Sequence, residues 1–362
     1  MKIFTTFISI FLGLIFGALV LKMTGISPVE AYSEMWNGVF AKPHYISTVI
    51  VRSTPLIFTG LAVAFAFKTG LFNIGAEGQF IIGSLSATVL GIYLDLPTFL
   101  MIPTVLILSM IMAGLYAALA GFLKARYGVH EVLTCIMLNW IALYFSNWAL
   151  MSTAIHRPHT ETSEFIKSSA SITILEEWKI SDAGMEFFAQ FPWLQQFMRS
   201  PVNVGIILAI VACLIVWFIL SKTTFGYELK AVGFNQNASR YGGINVKKRL
   251  TQSMFISGLL AGAAGATQVM GVSKNVAMLA GPEGYGFEGI AVSLIGMNHP
   301  FGVVVSGLFL GALKYSGQKL QSILEAPSEV ITLMIGVIVL FIALEPFIIG
   351  QLKKLKKKEV QS

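Results

Sequence analysis

The chain has 362 residues, of which 55% are apolar and only 12% charged. This composition excludes a soluble globular domain, because apolar runs long enough to cross a bilayer (about 20 residues) recur along it. The net charge of +7 does not point to nucleic acid, since Lys and Arg sit between and after the apolar runs rather than in one patch.

Residues 3–21 form the first apolar run, read as a retained helix because no small-residue cleavage site follows. Residues 22–45 read as a polar connection with Pro28, Glu30, Glu34, Lys42 and Pro43. A second span, 46–67, carries Arg52 and Pro55, and Lys68-Thr69 turns the chain into a third, 70–94. Asp95-Leu96-Pro97 leads to a fourth span ending near 123, and 131–151 reads as a fifth. Residues 152–201 are the longest polar stretch, yet Phe187, Phe188, Phe191 and Trp193 suit a small cap or a membrane interface. A sixth span covers about 202–220, followed by a charged, helix-compatible loop at about 222–250. The seventh, 251–272, is rich in small residues, with Gly258 and Gly262 spaced for close helix contact. Residues 281–296 are Gly-rich, contain Glu283 and Glu288, and are too weak for a plain spanning helix. Spans at 301–320 and 330–349 precede a Lys-rich tail at 351–362.

The chain therefore reads as one all-α polytopic membrane domain over residues 1–362, with about ten transmembrane segments. An even count puts both termini on one side. Six Lys and Arg between Lys222 and Arg249, together with the tail lysines, mark that side as cytoplasmic. The long 152–201 loop then faces outward. Cys135 and Cys213 lie within spans, far apart, and read as small buried hydrophobes.

One stretch breaks the apolar pattern. Between Gly70 and Gly83 the chain carries Asn73, Glu77 and Gln79 among four glycines. A carboxylate at membrane depth costs about 2.5–3.5 kcal/mol on insertion scales, so it faces a bundle interior or a wet cavity. Asn73, Glu77 and Gln79 either face a translocation path, or hold a broken helix, or fix helix packing as buried hydrogen-bonding groups. Gly75-Ala76-Glu77-Gly78 matches Gly286-Phe287-Glu288-Gly289, which is what an inverted repeat would leave behind; Glu288 takes the same alternatives. Asn139 and Asn147 lie two turns apart on one helix face and suit interhelical hydrogen bonds, with a path role for Asn139 as the competing reading. The loop Gly226-Tyr227-Glu228 through Arg240-Tyr241-Gly242-Gly243 reads as a short helix–turn unit, a protein dock in preference to a basic segment on anionic lipid. His156 and His159 are separated by Pro158 and lack further ligands, so no metal site is expected. No Walker A glycine loop and no nucleophile–base grouping stands out, which argues against an enzyme.

These same residues resemble a known family. Gly70–Gly83 and the stretch Gly226-Tyr227-Glu228-Leu229-Lys230-Ala231-Val232-Gly233 look like the branched-chain amino acid/ribose-type permeases of bacterial ABC importers. Asn73-Ile74-Gly75-Ala76-Glu77-Gly78-Gln79, with Arg52-Ser53-Thr54-Pro55-Leu56, Gly289-Ile290-Ala291-Val292 and Asn298-His299-Pro300, is most similar to permeases for nucleosides such as guanosine, or simple sugars. The resemblance implies a multi-pass subunit of a type II importer in the bacterial cell membrane. It implies pairing with a second, related permease as a heterodimer, a cytoplasmic ATP-binding protein and an extracytoplasmic substrate-binding lipoprotein. ATP and magnesium would sit on the partner, with no cofactor on this chain. Gly226, Tyr227, Glu228, Arg240, Tyr241 and Gly243 would then couple to the ATPase. The competing reading is a secondary transporter driven by an ion gradient, with Glu77 and Glu288 as proton or ion sites.

Overall fold

The computed structural model describes residues 2–152, 154–325 and 327–344; the basic tail lies outside them. The helices are α1 (Lys2–Met23), α2 (Pro28–Phe40), α3 (Pro43–Phe67), α4 (Ala76–Tyr93), α5 (Thr98–Tyr127), α6 (Glu131–Leu150), α7 (Asp182–Ala189) and α8 (Pro192–Phe197). They continue with α9 (Gly205–Lys222), α10 (Thr224–Phe234), α11 (Gln236–Tyr241), α12 (Val246–Gln268), α13 (Tyr285–Ile295), α14 (Pro300–Leu324) and α15 (Ser328–Ala343). A π turn, Val269–Ser273, extends α12. Among the described residues only isolated bridges, and no strands, occur.

Among the described residues, five helices are long and apolar enough to cross a membrane: α3, α5, α6, α9 and α12 with its π turn. The chain is a multi-pass, all-helical membrane protein. Residues 10–23 of α1 and helix α2 pass the same test only together, as a pair bent by 117°. The stretch 22–45, expected to be a polar connection, therefore contains a helix. Ala31, Met35, Gly38 and Val39 of α2 are buried, and Gly38 lies against Lys319 and Ser316 of α14. Its start follows from Pro28 at the first helical position, where the missing N–H does no harm. The third span also begins later than expected: residues 71–75 are irregular, and α4 starts only at Ala76.

Helix α3 is the hub, with 89% of its apolar window buried against 28% for α9. Helices α4, α12 and α5 form a second tight layer in which small residues replace side-chain contact by backbone approach. A Cβ on Gly83 would overlap the Gly262 backbone, and one on Gly265 would overlap the backbone of Phe80 and Ser84. On the same small-residue stripe of α12, Gly258 meets Ala117 and Gly114 of α5, and Gly262 meets Ala113. In lipid, where apolar side chains gain little by leaving the solvent, such close packing is what holds helices together. The exposed sides of α5, α6 and α9 are apolar throughout their middles, for example Ile111, Leu115, Ile141, Phe145, Ile210 and Leu214.

Segment 154–204 is packed rather than loose. Its backbone pairs with the stretch after α12, through Ser163 N–H to Val276 O (2.8 Å), Ile166 N–H to Lys274 O (2.9 Å) and Ile172 N–H to Met270 O (3.1 Å). Lys274, in the left-handed region (φ 62°), donates from Nζ to Thr173 (2.7 Å), Glu176 (2.9 Å), the Met270 carbonyl (2.9 Å) and Ser171. Burial opposes ionisation of Glu176, but hydrogen bonds from Ser171 and Lys274 outweigh it and hold the carboxyl below its ordinary 4.5. Helices α7 and α8 project from this segment with Ile180, Met185, Phe187, Phe191 and Trp193 exposed around them.

Candidate functional site: a junction of two helix N-termini

The chain between α3 and α4 makes a tight turn and then an irregular stretch, Leu71–Gly75, before the helix resumes. Backbone groups in such a break must find internal partners, because no water reaches them in a bilayer. The motif residues supply those partners. Asn73 and Gln79, both buried, form a reciprocal amide pair, with Asn73 Nδ2 donating to Gln79 Oε1 (2.8 Å) and Gln79 Nε2 to Asn73 Oδ1 (2.9 Å). Asn73 Nδ2 also donates to Ser257 Oγ of α12 (2.7 Å), and Ser257 in turn donates to the Ala62 carbonyl of α3 (2.6 Å). Asn139 of α6 takes the free N–H of Gly78 in the first turn of α4 (2.8 Å) and donates to the Ile74 carbonyl (3.1 Å). It thereby satisfies one helix-end donor and one carbonyl of the break.

Glu77 does the same for α13. Its Oε1 accepts from Gly284 N–H (2.7 Å) and its Oε2 from Gly286 N–H (2.6 Å). Gly284 caps α13 and Gly286 lies in its first turn, while Glu77 itself stands in the first turn of α4. The carboxylate is 0% exposed and lies at the N-termini of two helices at once, where unpaired N–H groups and the helix dipoles favour negative charge. A Cβ on Gly286 would overlap the Glu77 backbone, so only glycine permits the two helix starts to meet. The Phe80 and Tyr285 rings stack across the junction (5.0 Å between centroids), and Thr59 Oγ1 of α3 donates to the Tyr285 carbonyl (2.9 Å). From this point α4 runs to segment 154–204, where Tyr93 bonds the Ala154 carbonyl, and α13 runs to α14. Asn147, one further on the same face of α6, clamps the chain descending to the junction through both N–H and C=O of Leu279 (2.8 Å each).

The junction brings Asn73, Glu77, Gln79 and Asn139 together, with every one of these side chains bonded inside the chain. Glu288 stands apart, one turn along α13, paired with Lys314 of α14 (2.5 Å). Ser257 and Lys314 belong to these networks although the motif reading did not single them out, whereas Asn147, read as a hydrogen-bond former, is one. A lysine in the middle of an apolar run was the available signal for Lys314.

The second assembly lies at the far end of α9. Three side chains cap three successive helices: Thr223 accepts from Gly226 N–H (3.0 Å), Asn235 from Asn237 and Ala238 (3.0 Å each), and Asn245 from Lys248 (3.1 Å). The unit α10–α11 is therefore rigid. Gly226 is buried against the Ile219 carbonyl, and Gly243 takes φ 81°, which only glycine adopts freely. Glu228 turns inward to Arg249 Nε (2.5 Å). Tyr227, Phe234 and Tyr241 point outward, 68%, 90% and 96% exposed, with Arg240 beside them. The unit rests on the α3–α4 turn: a Cβ on Gly233 would overlap the Lys68 carbonyl, and a Cβ on Gly70 would lie 3.4 Å from the Gly233 backbone. Gly70 lies five positions before Gly75, the cap of α4.

Residues 45–344 match the family described as branched-chain amino acid transport system / permease component. The chain is 41% identical to the guanosine ABC transporter permease protein NupP of Bacillus subtilis, over 96% of this chain and 95% of that one. It is 33% identical to the nucleoside ABC transporter permease protein NupB of Lactococcus lactis, over 98% and 94%. It is 27% identical to the guanosine ABC transporter permease protein NupQ of Bacillus subtilis, over 84% and 91%. No solved structure matches the chain.

Proposed function

This chain belongs to the branched-chain amino acid transport system / permease component family, and from that premise we propose that it is the membrane-spanning subunit of an ABC importer for nucleosides or related sugars. It is a transport subunit and not an enzyme. ATP binding and hydrolysis belong to a separate cytoplasmic protein, and an extracytoplasmic binding protein delivers the substrate. The observation that carries the coupling is the contact of α10 with the α3–α4 turn. A partner that grips exposed Tyr227, Phe234, Arg240 and Tyr241 moves a capped, stiff unit. That unit bears on Lys68–Gly70, and the displacement reaches the α4 start and the Glu77 junction with α13. Gly226, Glu228 and Gly243 keep the unit in shape, through close packing, an ion pair and a left-handed turn.

In this reading α10–α11 and both termini are cytoplasmic and segment 154–204 faces outward. The partner permease is a related, non-identical chain, as suggested by the two guanosine permeases, NupP and NupQ, of one Bacillus subtilis strain. Asn73, Glu77, Gln79 and Asn139 act as the framework of the path, holding two interrupted helices whose relative tilt opens and closes it.

The experiment is uptake of labelled nucleosides and simple sugars in cells lacking the gene, with and without its restoration, and with ATP depleted at constant proton gradient. Uptake that depends on the gene and dies with ATP is expected. Uptake that survives ATP loss and collapses with the gradient would overturn the importer in favour of an ion-coupled transporter at Glu77 and Glu288.

A further inference from the structure

One face of the helix bundle is unlike the others. On α3, α13 and α14 the side chains Arg52, Glu288, Lys314, Gln318 and Gln321 all reach the surface or lie partly open. Arg52 is the tenth residue of a 25-residue helix and Lys314 the fifteenth of another. A charge at such depth is costly against lipid, so this face does not meet hydrocarbon, whereas the apolar faces of α5, α6 and α9 do. Arg52 is held by Gln318 Oε1 and lies over the Tyr315 ring (5.4 Å). Lys314 bonds Glu288 Oε1 and sits 6.0 Å from the Tyr285 ring centre. Between these groups is a cavity of about 220 Å³ bounded by Glu288, Lys314, Gln318, Gln321, Thr332 and Ile335.

That cavity has an unfilled valence. Glu288 Oε2 is shielded from solvent and accepts no hydrogen bond among the described residues, while its sister oxygen is paired. Leaving a buried carboxylate oxygen unpaired is costly, so each such atom calls for a partner. Around it, Lys314 has N–H donors beyond the one given to Glu288, and the amide N–H₂ of Gln318 and both ends of Gln321 have no hydrogen-bond partner among the described residues. Within the cavity wall the Lys314 and Glu288 charges cancel. The wall thus offers one strong acceptor flanked by donors, which matches the O–H and oxygen pattern of a vicinal diol better than it matches an anion or an apolar group. The volume equals the share of roughly seven water molecules at 30 Å³ each, room for a sugar ring.

We propose that Glu288, Lys314, Gln318 and Gln321 form the contact for the hydroxyl-bearing sugar ring of the transported substrate, with Glu288 Oε2 accepting from a ring hydroxyl. The proposal rests on the importer reading and adds the part of the substrate that this subunit recognises. Any base carried by the sugar extends out of the cavity towards the partner permease.

The test uses the assembled transporter with its partner subunits in vesicles. First, Gln321→Cys is labelled with a water-soluble thiol reagent, with Leu115→Cys on the lipid-facing side of α5 as the comparison; native Cys135 and Cys213 are buried. The expected result is rapid labelling at 321, slowed at least tenfold by a ribonucleoside and not by its 2′,3′-dideoxy analogue, and none at 115. Second, the ratio of kcat/KM for ribonucleoside over dideoxynucleoside is expected to fall about tenfold in Glu288→Gln and in Gln321→Ala. The exposed Gln321 leaves the ion pair intact, so its variant guards against misfolding of the first. The charge-exchanged pair Glu288→Lys with Lys314→Glu restores a structural ion pair but not the acceptor, and is expected to restore complex assembly without restoring the ratio.

A position 321 that is blocked in the assembled transporter would show that the face packs against the partner and would overturn the proposal. Labelling protected equally by both nucleosides, or an unchanged ratio in both variants, would do the same. A wild-type transporter that carries neither nucleosides nor sugars would instead overturn the importer reading.

Discussion

At Glu77 the N–H groups of Gly284 and Gly286 meet a carboxylate that itself belongs to the first turn of another helix. Both oxygens accept and neither has a donor's task, so the amide of Glu77→Gln would turn an N–H₂ towards a backbone N–H. That variant is expected to lose about 1–3 kcal/mol, read as a lower unfolding temperature of the detergent-solubilised chain, with insertion retained. Asn139→Leu strands the Gly78 N–H and the Ile74 carbonyl and is expected to fall in the same range. No change in melting for either variant would mean that the junction rearranges around them. The motif residues stood out in the sequence because polar groups are rare in apolar spans. Their partners did not: Ser257 is 184 positions from Asn73, and Gly284 is 207 from Glu77.

Among elements, the α4–α12 pair depends on absent side chains. Gly83→Ala pushes a methyl into the Gly262 backbone and is expected to destabilise the chain by about 1–3 kcal/mol, whereas Gly281→Ala, with nothing within 4 Å, is expected to leave melting unchanged. The clasp between segment 154–204 and Lys274 carries a pH signature. The Glu176 carboxyl is held below its ordinary 4.5 in the folded protein, so the stability it adds is present above that value and is lost as pH falls through the lowered one. Protease resistance of the segment should stay level from pH 8 to about 5 and decline only in stronger acid, and Lys274→Met should weaken this dependence. A decline that begins near neutrality would point to another group. The small-residue spacing on α12 was visible beforehand. The helix α2 was not, because its buried positions make sense only once α14 lies beside it.

For the whole molecule, the exposed aromatics of α10 and α11 and the polar face of α3, α13 and α14 are set apart from the apolar sides of α5, α6 and α9. Phe234→Ser with Tyr241→Ser removes two outward side chains, 90% and 96% exposed, that support nothing inside the chain. Substrate-stimulated ATP hydrolysis by the assembled importer should drop at least tenfold while the melting temperature of this chain stays the same. Full stimulation in that variant would remove α10–α11 as the grip of the ATPase.

Composition and apolar runs alone determined that this is a helical membrane protein, since within a continuous apolar run of about 20 residues a helix satisfies every backbone group by itself. The motifs at Gly70–Gly83 and Gly226–Gly243 marked where the helices break and where a stiff polar unit stands, because local chemistry decides caps and glycine turns. Tertiary structure alone decided what those residues hold. The Glu77 carboxylate became the cap of a helix two hundred residues away, Glu228 turned inward to Arg249, and Lys314 came to sit on Glu288. Such pairings depend on which helices become neighbours, and that is set by the fit of whole surfaces rather than by any short stretch of chain.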